Sequence, residues 1–148
     1  MFEGILFKTI LDQAIAAEER AFRYYQNAAE QPDMQGAADL LTYLAGEELL
    51  HRIKLEELQR EGNFDNLMLK NIRAEGKTIG GVPFANEKET LLTVLQAALE
   101  KEKNAHFRYA SMGDSLSGKK QEGLFRLLAA EEKKHMNLIA DFLNNAEG

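Results

Sequence analysis

Apolar residues recur along four segments of the chain at alternating spacings of three and four positions, which is the spacing of one face of an α-helix. We predict helices over residues 5–29, 34–60, 86–112 and 119–144. The apolar stripes consist of Leu11, Ile15, Phe22, Tyr25 and Ala29; Ala37, Leu41, Leu44, Leu55 and Leu58; Leu91, Leu95, Ala98, Ala105, Tyr109 and Met112; and Phe125, Leu128, Ile139 and Phe142. A short connection within each pair of helices predicts two antiparallel hairpins.

The connections contain the residues that interrupt helices. Pro32 should end the first helix, residues 113–118 should form a turn, and Asn86 followed by Glu89 predicts a capping box at the third helix. The glycine-rich segment 61–84 is long for a connection inside a domain, so we expect it to cross from one end of the bundle to the other. The residues expected to pack along this crossover are Leu67, Ile72, Val82 and Phe84. A flexible linker between two hairpins is the alternative.

This pattern predicts an all-α protein: an antiparallel four-helix bundle with a long crossover between its second and third helices, forming one domain over residues 1–148. Each of its four apolar stripes is interrupted near the middle. The interrupting residues are Glu18 in the first helix, Glu48 and His51 in the second, Glu102 in the third, and Glu132 and His135 in the fourth.

These interruptions form a repeat. The motif L-A-x-E-E-x-x-H occurs at residues 44–51 and again at 128–135, and in each copy a further glutamate lies 30 residues before the motif's second glutamate. The two copies of Glu…Glu-x-x-His are therefore offset by 84 residues. We interpret the chain as a duplicated helical hairpin that closes around a site for two metal ions.

The chemistry of these side chains favours that interpretation. A glutamate and a histidine three positions apart lie on one helix face, about 5–6 Å apart at Cβ, and can reach one ion. Four ionised carboxylates in a core need compensation, because each buried unpaired charge costs several kcal/mol. Two divalent cations would cancel the four negative charges, and carboxylate and imidazole ligands without sulfur suit iron or manganese. A purely structural bundle is the alternative.

Other residues near the repeat have more ordinary interpretations. Glu19, Glu47 and Glu131 lie off the stripes, so we expect them to face solvent. His106 follows Glu102 by one turn and has no counterpart in the first copy, which favours a partly buried histidine over a ligand. Tyr25 and Tyr109 occupy equivalent positions in the two copies. Core packing accounts for both tyrosines, and a hydrogen bond from either hydroxyl to a ligand carboxylate would place it in the site.

Composition narrows the functional classes. The 148 residues include no cysteine, which excludes disulfides, thiolate zinc sites and sulfur-ligated iron. The net charge of −6 argues against a nucleic-acid or membrane-surface partner. The N-terminal residues lack the features of a signal peptide, and no apolar run reaches the length of a membrane span, so we expect a cytoplasmic protein.

Surplus apolar residues of the first helix predict a homodimer. They are Phe2, Ile5, Leu6, Phe7 and Ile10.

The sequence resembles the rubrerythrin branch of the ferritin-like superfamily over nearly its whole length. The motifs that carry the resemblance are Glu18-x-x-Ala21-x-x-Tyr24-Tyr25, Glu48-x-x-His51, Glu102-x-x-Ala105-x-x-x-Tyr109 and Glu132-x-x-His135. The resemblance implies a ferritin-like bundle with two iron ions bridged by Glu48 and Glu132. Of the other ligands, it pairs Glu18 with His51 on one iron, and Glu102 with His135 on the second. Rubrerythrins use such a centre to reduce hydrogen peroxide, with electrons from a sulfur-ligated iron domain at the C-terminus.

Two departures from the family pattern affect the expected activity. No cysteine is present to build the electron-entry domain, so we expect a separate electron-donor protein. Ala105 stands where peroxide-reducing rubrerythrins have an additional glutamate. We therefore consider three functions: a di-iron oxidoreductase acting on hydrogen peroxide or dioxygen, a ferroxidase that handles iron, and a metal-stabilised bundle that serves as a binding module. Iron is the expected metal, with manganese or a mixed pair as alternatives.

Overall fold

The computed structural model describes residues 4–62, 67–70 and 90–147. Within these ranges the chain forms four long helices, which are α1 (Phe7–Ala29), α2 (Ala38–Glu61), α3 (Leu91–Ser115) and α4 (Glu122–Glu147). The prediction of an all-α four-helix bundle is confirmed. A 3-10 helix, Pro32–Ala37, leads into α2. Two short strands, β1 (Gly4–Leu6) and β2 (Met68–Lys70), pair antiparallel beside the bundle.

The apolar stripes meet in two separate clusters. The first apolar cluster includes Phe7, Leu11, Leu55, Tyr109, Met112, Phe125 and Leu128. The second apolar cluster includes Tyr25, Leu41, Leu44, Leu95, Ala98 and Ile139. In every helix the predicted acids and histidines fall between the residues that contribute to the two clusters. The polar residues therefore form a layer across the middle of the bundle, with an apolar core on either side.

The order of the two clusters along each helix fixes the topology. Helices α1 and α4 run from the first cluster to the second, whereas α2 and α3 run from the second to the first. Each hairpin is therefore antiparallel, and α3 starts at the opposite end of the bundle from the end of α2. The connection between α2 and α3 therefore joins opposite ends of the bundle, which confirms the predicted crossover. Leu67 packs against the first cluster, whereas Ile72, Val82 and Phe84 lie outside the described residues.

The predicted start of the first helix is wrong by two residues. Residues 4–6 are extended and pair with 68–70, and the amide of Phe7 donates to the carbonyl of Leu67 over 3.2 Å. Leu69 of this ribbon is fully buried in the first apolar cluster. A three-residue strand is too short to show the alternation of apolar and polar residues that would have distinguished it from a helix.

The third helix begins at Leu91, later than predicted. Thr90 is its N-cap, and the Thr90 hydroxyl accepts from the amide of Thr93 over 3.1 Å. The predicted cap residues Asn86 and Glu89 lie outside the described residues.

The turn predicted at 113–118 starts later than expected, because its first three residues belong to α3. Helix α3 continues through Gly113 to Ser115, and the backbone N–H of Leu116 donates a hydrogen bond of 3.0 Å to the carbonyl oxygen of Met112 at its end. Met112 and Leu116 are both buried, so their packing outweighs the low helix propensity of glycine. The chain reverses at Gly118, whose φ of 82° is in the left-handed region that favours glycine.

Two of the residues from which a homodimer was predicted are in the core. Phe7 and Ile10 belong to the first apolar cluster and leave at most 6% of their surface exposed. Leu6 is 53% exposed, and the structure describes neither Phe2 nor the side chain of Ile5. The homodimer stays a prediction with less support than the sequence offered. None of the described helices combines the length and the apolar content that a membrane span requires.

Candidate metal centre

The polar layer brings together all six residues that the sequence predicted as metal ligands. Four helices contribute them, and none is more than 2% exposed. The layer consists of Glu18, Glu48, His51, Glu102, Glu132 and His135. Helical periodicity accounts for this convergence, because each residue occupies a core-facing position between the apolar residues of its own stripe.

Ligand-type atoms from these residues form two overlapping groups. One group contains Glu18 and His51, the other contains Glu102 and His135, and both contain Glu48 and Glu132. Within each group the candidate atoms lie within 4.8 Å of one another, close enough to surround one ion. Two groups that share two carboxylates have the arrangement required for a pair of adjacent ions with bridging ligands.

Both histidines direct Nδ1 into the cluster. His51 Nδ1 lies 3.5 Å from Glu18 and 3.8 Å from Glu132, measured to carboxylate oxygens. His135 Nδ1 lies 2.9 Å from Glu102 and 3.0 Å from Glu132. The two imidazole rings stack, with centroids 5.6 Å apart and an interplanar angle of 15°. Each ring thus offers one nitrogen to the space between the carboxylates.

The outer nitrogens contact glutamates that were predicted to face solvent, and that prediction is wrong. His51 Nε2 lies 2.7 Å from Glu131, and His135 Nε2 lies 3.4 Å from Glu47. Each of these carboxylates is only 24% exposed. A signal was present in the sequence, because both motif copies carry a doubled glutamate. The contacts cross between hairpins, however, so the helical periodicity of one segment could not reveal them.

The cluster contains buried polar atoms that have no hydrogen-bond partner among the described residues. They are Glu18 Oε1, Glu48 Oε1, His51 Nδ1 and Glu132 Oε2. Buried polar groups are almost always paired, because an unpaired one costs about 1–3 kcal/mol. Four such atoms in one cluster, all of ligand type, fit divalent cations whose coordination would satisfy them together.

Burial and the close approach of the carboxylates also shift the pKa values of the metal-free cluster. Burial, followed by the charges of Glu102 and Glu132, raises the pKa of Glu48 well above its usual range. Burial and the charges of Glu102 and Glu18 raise the pKa of Glu132 to about 8. Burial alone would lower the pKa of each histidine. Bonds to the surrounding carboxylates outweigh burial and raise the pKa of His51 to about 9 and that of His135 to about 10. Without metal, protons supply the positive charge that the site requires.

These shifts predict that metal-free protein loses thermal stability as the pH rises from about 7 to about 9. Folding raises the pKa of Glu132 from 4.5 to about 8 and that of His51 from 6.5 to about 9. A group with a raised pKa stabilises the folded state while it is protonated, and this contribution is lost as the pH climbs through the folded value. The check is the melting temperature of chelator-treated protein across this range. Glu132→Gln, which cannot ionise, should show a shallower fall, and a fall of equal slope would contradict the interpretation.

The equivalent tyrosines have different partners. Both are fully buried, and the Tyr109 hydroxyl donates to Glu18 Oε2 across the hairpins. The Tyr25 hydroxyl has no hydrogen-bond partner among the described residues. Burial, followed by the charge of Glu102, raises its pKa well above the usual value, so Tyr25 stays protonated. The structure therefore connects Tyr109 to a candidate ligand, whereas the Tyr25 ring packs in the second apolar cluster and its place in the site stays a prediction.

This difference predicts unequal effects of removing the two hydroxyls. Tyr109→Phe should weaken metal binding by about tenfold, because it removes a hydrogen bond that orients Glu18. Tyr25→Phe is the matched control and should leave affinity within about twofold, since no bond is lost. Anaerobic titration of each variant with Fe(II) measures both affinities. Equal affinities in the two variants would contradict a role for Tyr109 in the site.

His106 lies outside the cluster, in line with the interpretation favoured by the sequence. Its Nδ1 lies 2.8 Å from the carbonyl oxygen of Ala129, and the side chain is partly buried between α3 and α4. Glu19 is likewise outside the cluster and pairs with Arg23 and Arg52 at the surface.

The first motif copy of the cluster lies in a region that matches a known protein family. The family model described as Rubrerythrin matches residues 9–82, half of the 148-residue chain. The matched region contains Glu18, Glu48 and His51, and the second motif copy lies beyond it. No curated protein matches the chain.

Proposed function

Because this chain belongs to the rubrerythrin family, we propose that its buried cluster holds two iron ions and that the protein is an oxidoreductase that reduces hydrogen peroxide or dioxygen. The observation that carries the proposal is the pair of overlapping ligand groups that share two carboxylates. A structural bundle without metal would have to bury four carboxylates at the cost of their hydration, with several oxygens unpaired.

The overlap suggests a role for each ligand. Glu48 and Glu132 belong to both groups and would bridge the ions. Glu18 and His51 would complete one position, and Glu102 with His135 would complete the other; both histidines would bind through Nδ1. Four carboxylates and two neutral imidazoles balance two divalent cations, which removes the electrostatic penalty of the metal-free cluster. Manganese or a mixed pair satisfies the same charge balance.

The chemistry requires two electrons for each peroxide, H₂O₂ + 2e⁻ + 2H⁺ → 2H₂O. Held by the six ligands, two iron ions would supply these two electrons by passing from the Fe(II) to the Fe(III) state. The protein's residues contribute the environment of the reaction. The apolar clusters on both sides of the layer exclude bulk water, and the Tyr109 hydroxyl holds Glu18 in place. A separate electron-donor protein would return the electrons after each turnover.

The residue at position 105 is the reason for including dioxygen. Ala105 is buried in the first apolar cluster, one turn from Glu102. It offers no oxygen ligand, so the site lacks the additional carboxylate expected of a peroxide-reducing rubrerythrin. Both halves of the site therefore present the same ligand types, one glutamate and one Glu-x-x-His unit.

Stopped-flow oxidation of anaerobically loaded protein tests the proposal. Fe(II)-loaded protein is mixed with hydrogen peroxide or with dioxygen, and the yield of Fe(III) and the consumption of oxidant are measured. We expect oxidation of two irons per chain, followed by repeated turnover once a reductant is supplied. Iron that is oxidised by dioxygen and then released would indicate a ferroxidase instead. Metal binding without oxidation by either reagent would exclude both activities and leave a binding module.

The control variant is Glu19→Gln. Glu19 adjoins Glu18 in the sequence, but its carboxylate pairs with arginines and not with the cluster. Its oxidation kinetics should match those of the wild type.

A further inference from the structure

We propose that Glu131 and Glu47 are positioning residues, each holding the histidine of the opposite hairpin, and that their unequal contacts cause the His51 position to bind metal before the His135 position. This inference rests on the proposed di-metal site and goes beyond it, because the six ligands alone give two equivalent halves.

The two histidines are supported from outside by different contacts. His51 Nε2 lies 2.7 Å from Glu131 Oε1, which is a short, well-formed hydrogen bond. The corresponding distance from His135 Nε2 to Glu47 Oε1 is 3.4 Å, at the limit of a hydrogen bond. A carboxylate that accepts from the outer nitrogen of a metal-binding histidine fixes both its tautomer and its ring orientation. Glu131 meets this requirement, and Glu47 meets it poorly.

The inner nitrogens show the opposite asymmetry. His51 Nδ1 has no hydrogen-bond partner among the described residues. His135 Nδ1 contacts carboxylate oxygens of Glu102 at 2.9 Å and Glu132 at 3.0 Å. With Nε2 held by Glu131, a cation that binds at His51 Nδ1 replaces no hydrogen bond of that nitrogen to the described residues. His135 has to give up its inner hydrogen bonds before Nδ1 can bind. Preorganisation therefore favours the His51 position.

The sequence beyond the motif explains why the outer supports differ. Lys54 Nζ lies 3.9 Å from Glu131 Oε2, and the equivalent residue of the second copy is Leu138. On the other side Tyr43 lies edge-on to the His135 ring, with centroids 6.3 Å apart, and its counterpart is Leu127. The duplication thus preserved the ligands and the doubled glutamates but not the residues around them.

The experiment is an anaerobic titration of metal-free protein with Co(II), in which absorption spectroscopy and calorimetry monitor each binding step. We expect two resolved binding steps in the wild type. Glu131→Gln should weaken the first step by about tenfold to a hundredfold. Glu47→Gln should act on the second step, with a smaller effect. Glu19→Gln is the control, because its 27% exposed carboxylate has a similar setting but touches neither histidine. Far-UV circular dichroism checks that each variant keeps its helices.

A second readout requires no substitution. Long-range ¹H–¹⁵N spectra of the histidine rings, recorded during titration with diamagnetic Zn(II), report which imidazole binds first. The first equivalent should shift the His51 signals and leave His135 unchanged; in Glu131→Gln this order should be lost. Simultaneous shifts in the wild type, or an unchanged first step in Glu131→Gln, would overturn the inference. A wild-type protein that binds no metal would instead refute the proposed function, so the two failures are distinguishable.

Discussion

Replacing Glu132 by alanine is expected to reduce the metal content from two ions per chain to one or none. Glu132 is fully buried and belongs to both ligand groups, so its loss removes a ligand from each position. Glu48→Ala should have the same consequence for the same reason. Glu18→Ala and Glu102→Ala remove a residue from one group only, and should affect one position more than the other. Elemental analysis after anaerobic loading and desalting measures the content.

The matched control is again Glu19→Gln, which should retain two ions. A larger loss of metal in Glu132→Ala and Glu48→Ala than in Glu18→Ala and Glu102→Ala would show that the two metal positions share ligands. If Glu132→Ala and Glu48→Ala both kept two metals per chain, the bridging role of these carboxylates would be wrong.

Removing metal from the wild-type protein is expected to lower its melting temperature by roughly 15–30 °C. A ligand present at a thousand times its dissociation constant stabilises the folded state by about 4 kcal/mol, and two such sites contribute about 8 kcal/mol. For a chain of this size, each kcal/mol corresponds to roughly 2–4 °C. The emptied cluster adds to this loss of stability, because its buried carboxylates repel one another once the charge of the metal is gone.

Scanning calorimetry before and after chelation measures this difference, and added Fe(II) should restore it. Glu132→Ala should show a much smaller difference between its loaded and chelated forms. A wild-type melting temperature that does not respond to chelation would mean that the cluster holds no metal in the folded protein.

The helices and the polar layer could be predicted because they depend on periodicity. Apolar residues and ligands share one face of each helix, and a second copy of the pattern repeats after 84 residues. A single Glu-x-x-His in a glutamate-rich helix would have meant little. The repeat, with Glu18 and Glu102 at matching distances, is the feature that made the cluster predictable from the amino-acid sequence.

The missed features depend on contacts between segments. The β1–β2 ribbon joins residues more than sixty positions apart, and three residues carry too little pattern to predict a strand. Thr90 is the cap because the helix starts at Leu91, and the exact ends of helices are the features that sequence patterns predict least accurately. Glu131 reaches His51 across the bundle, and the sequence of α4 alone gives no indication of that bond.

The inequivalence of the two halves has the same origin. Tyr25 and Tyr109 are identical residues at equivalent positions, yet only Tyr109 bonds a carboxylate of the cluster among the described residues. An internal repeat predicts which residue types recur. It does not predict how their surroundings diverge, as Lys54 and its counterpart Leu138 illustrate.

Anomalous diffraction from crystals of the iron-loaded protein tests the central claim most directly. We expect two peaks inside the bundle, both flanked by Glu48 and Glu132. One peak should lie beside Glu18 and His51 Nδ1, and the other beside Glu102 and His135 Nδ1. A single peak, or iron bound away from these carboxylates, would contradict the claim that the two hairpins together form a di-metal centre.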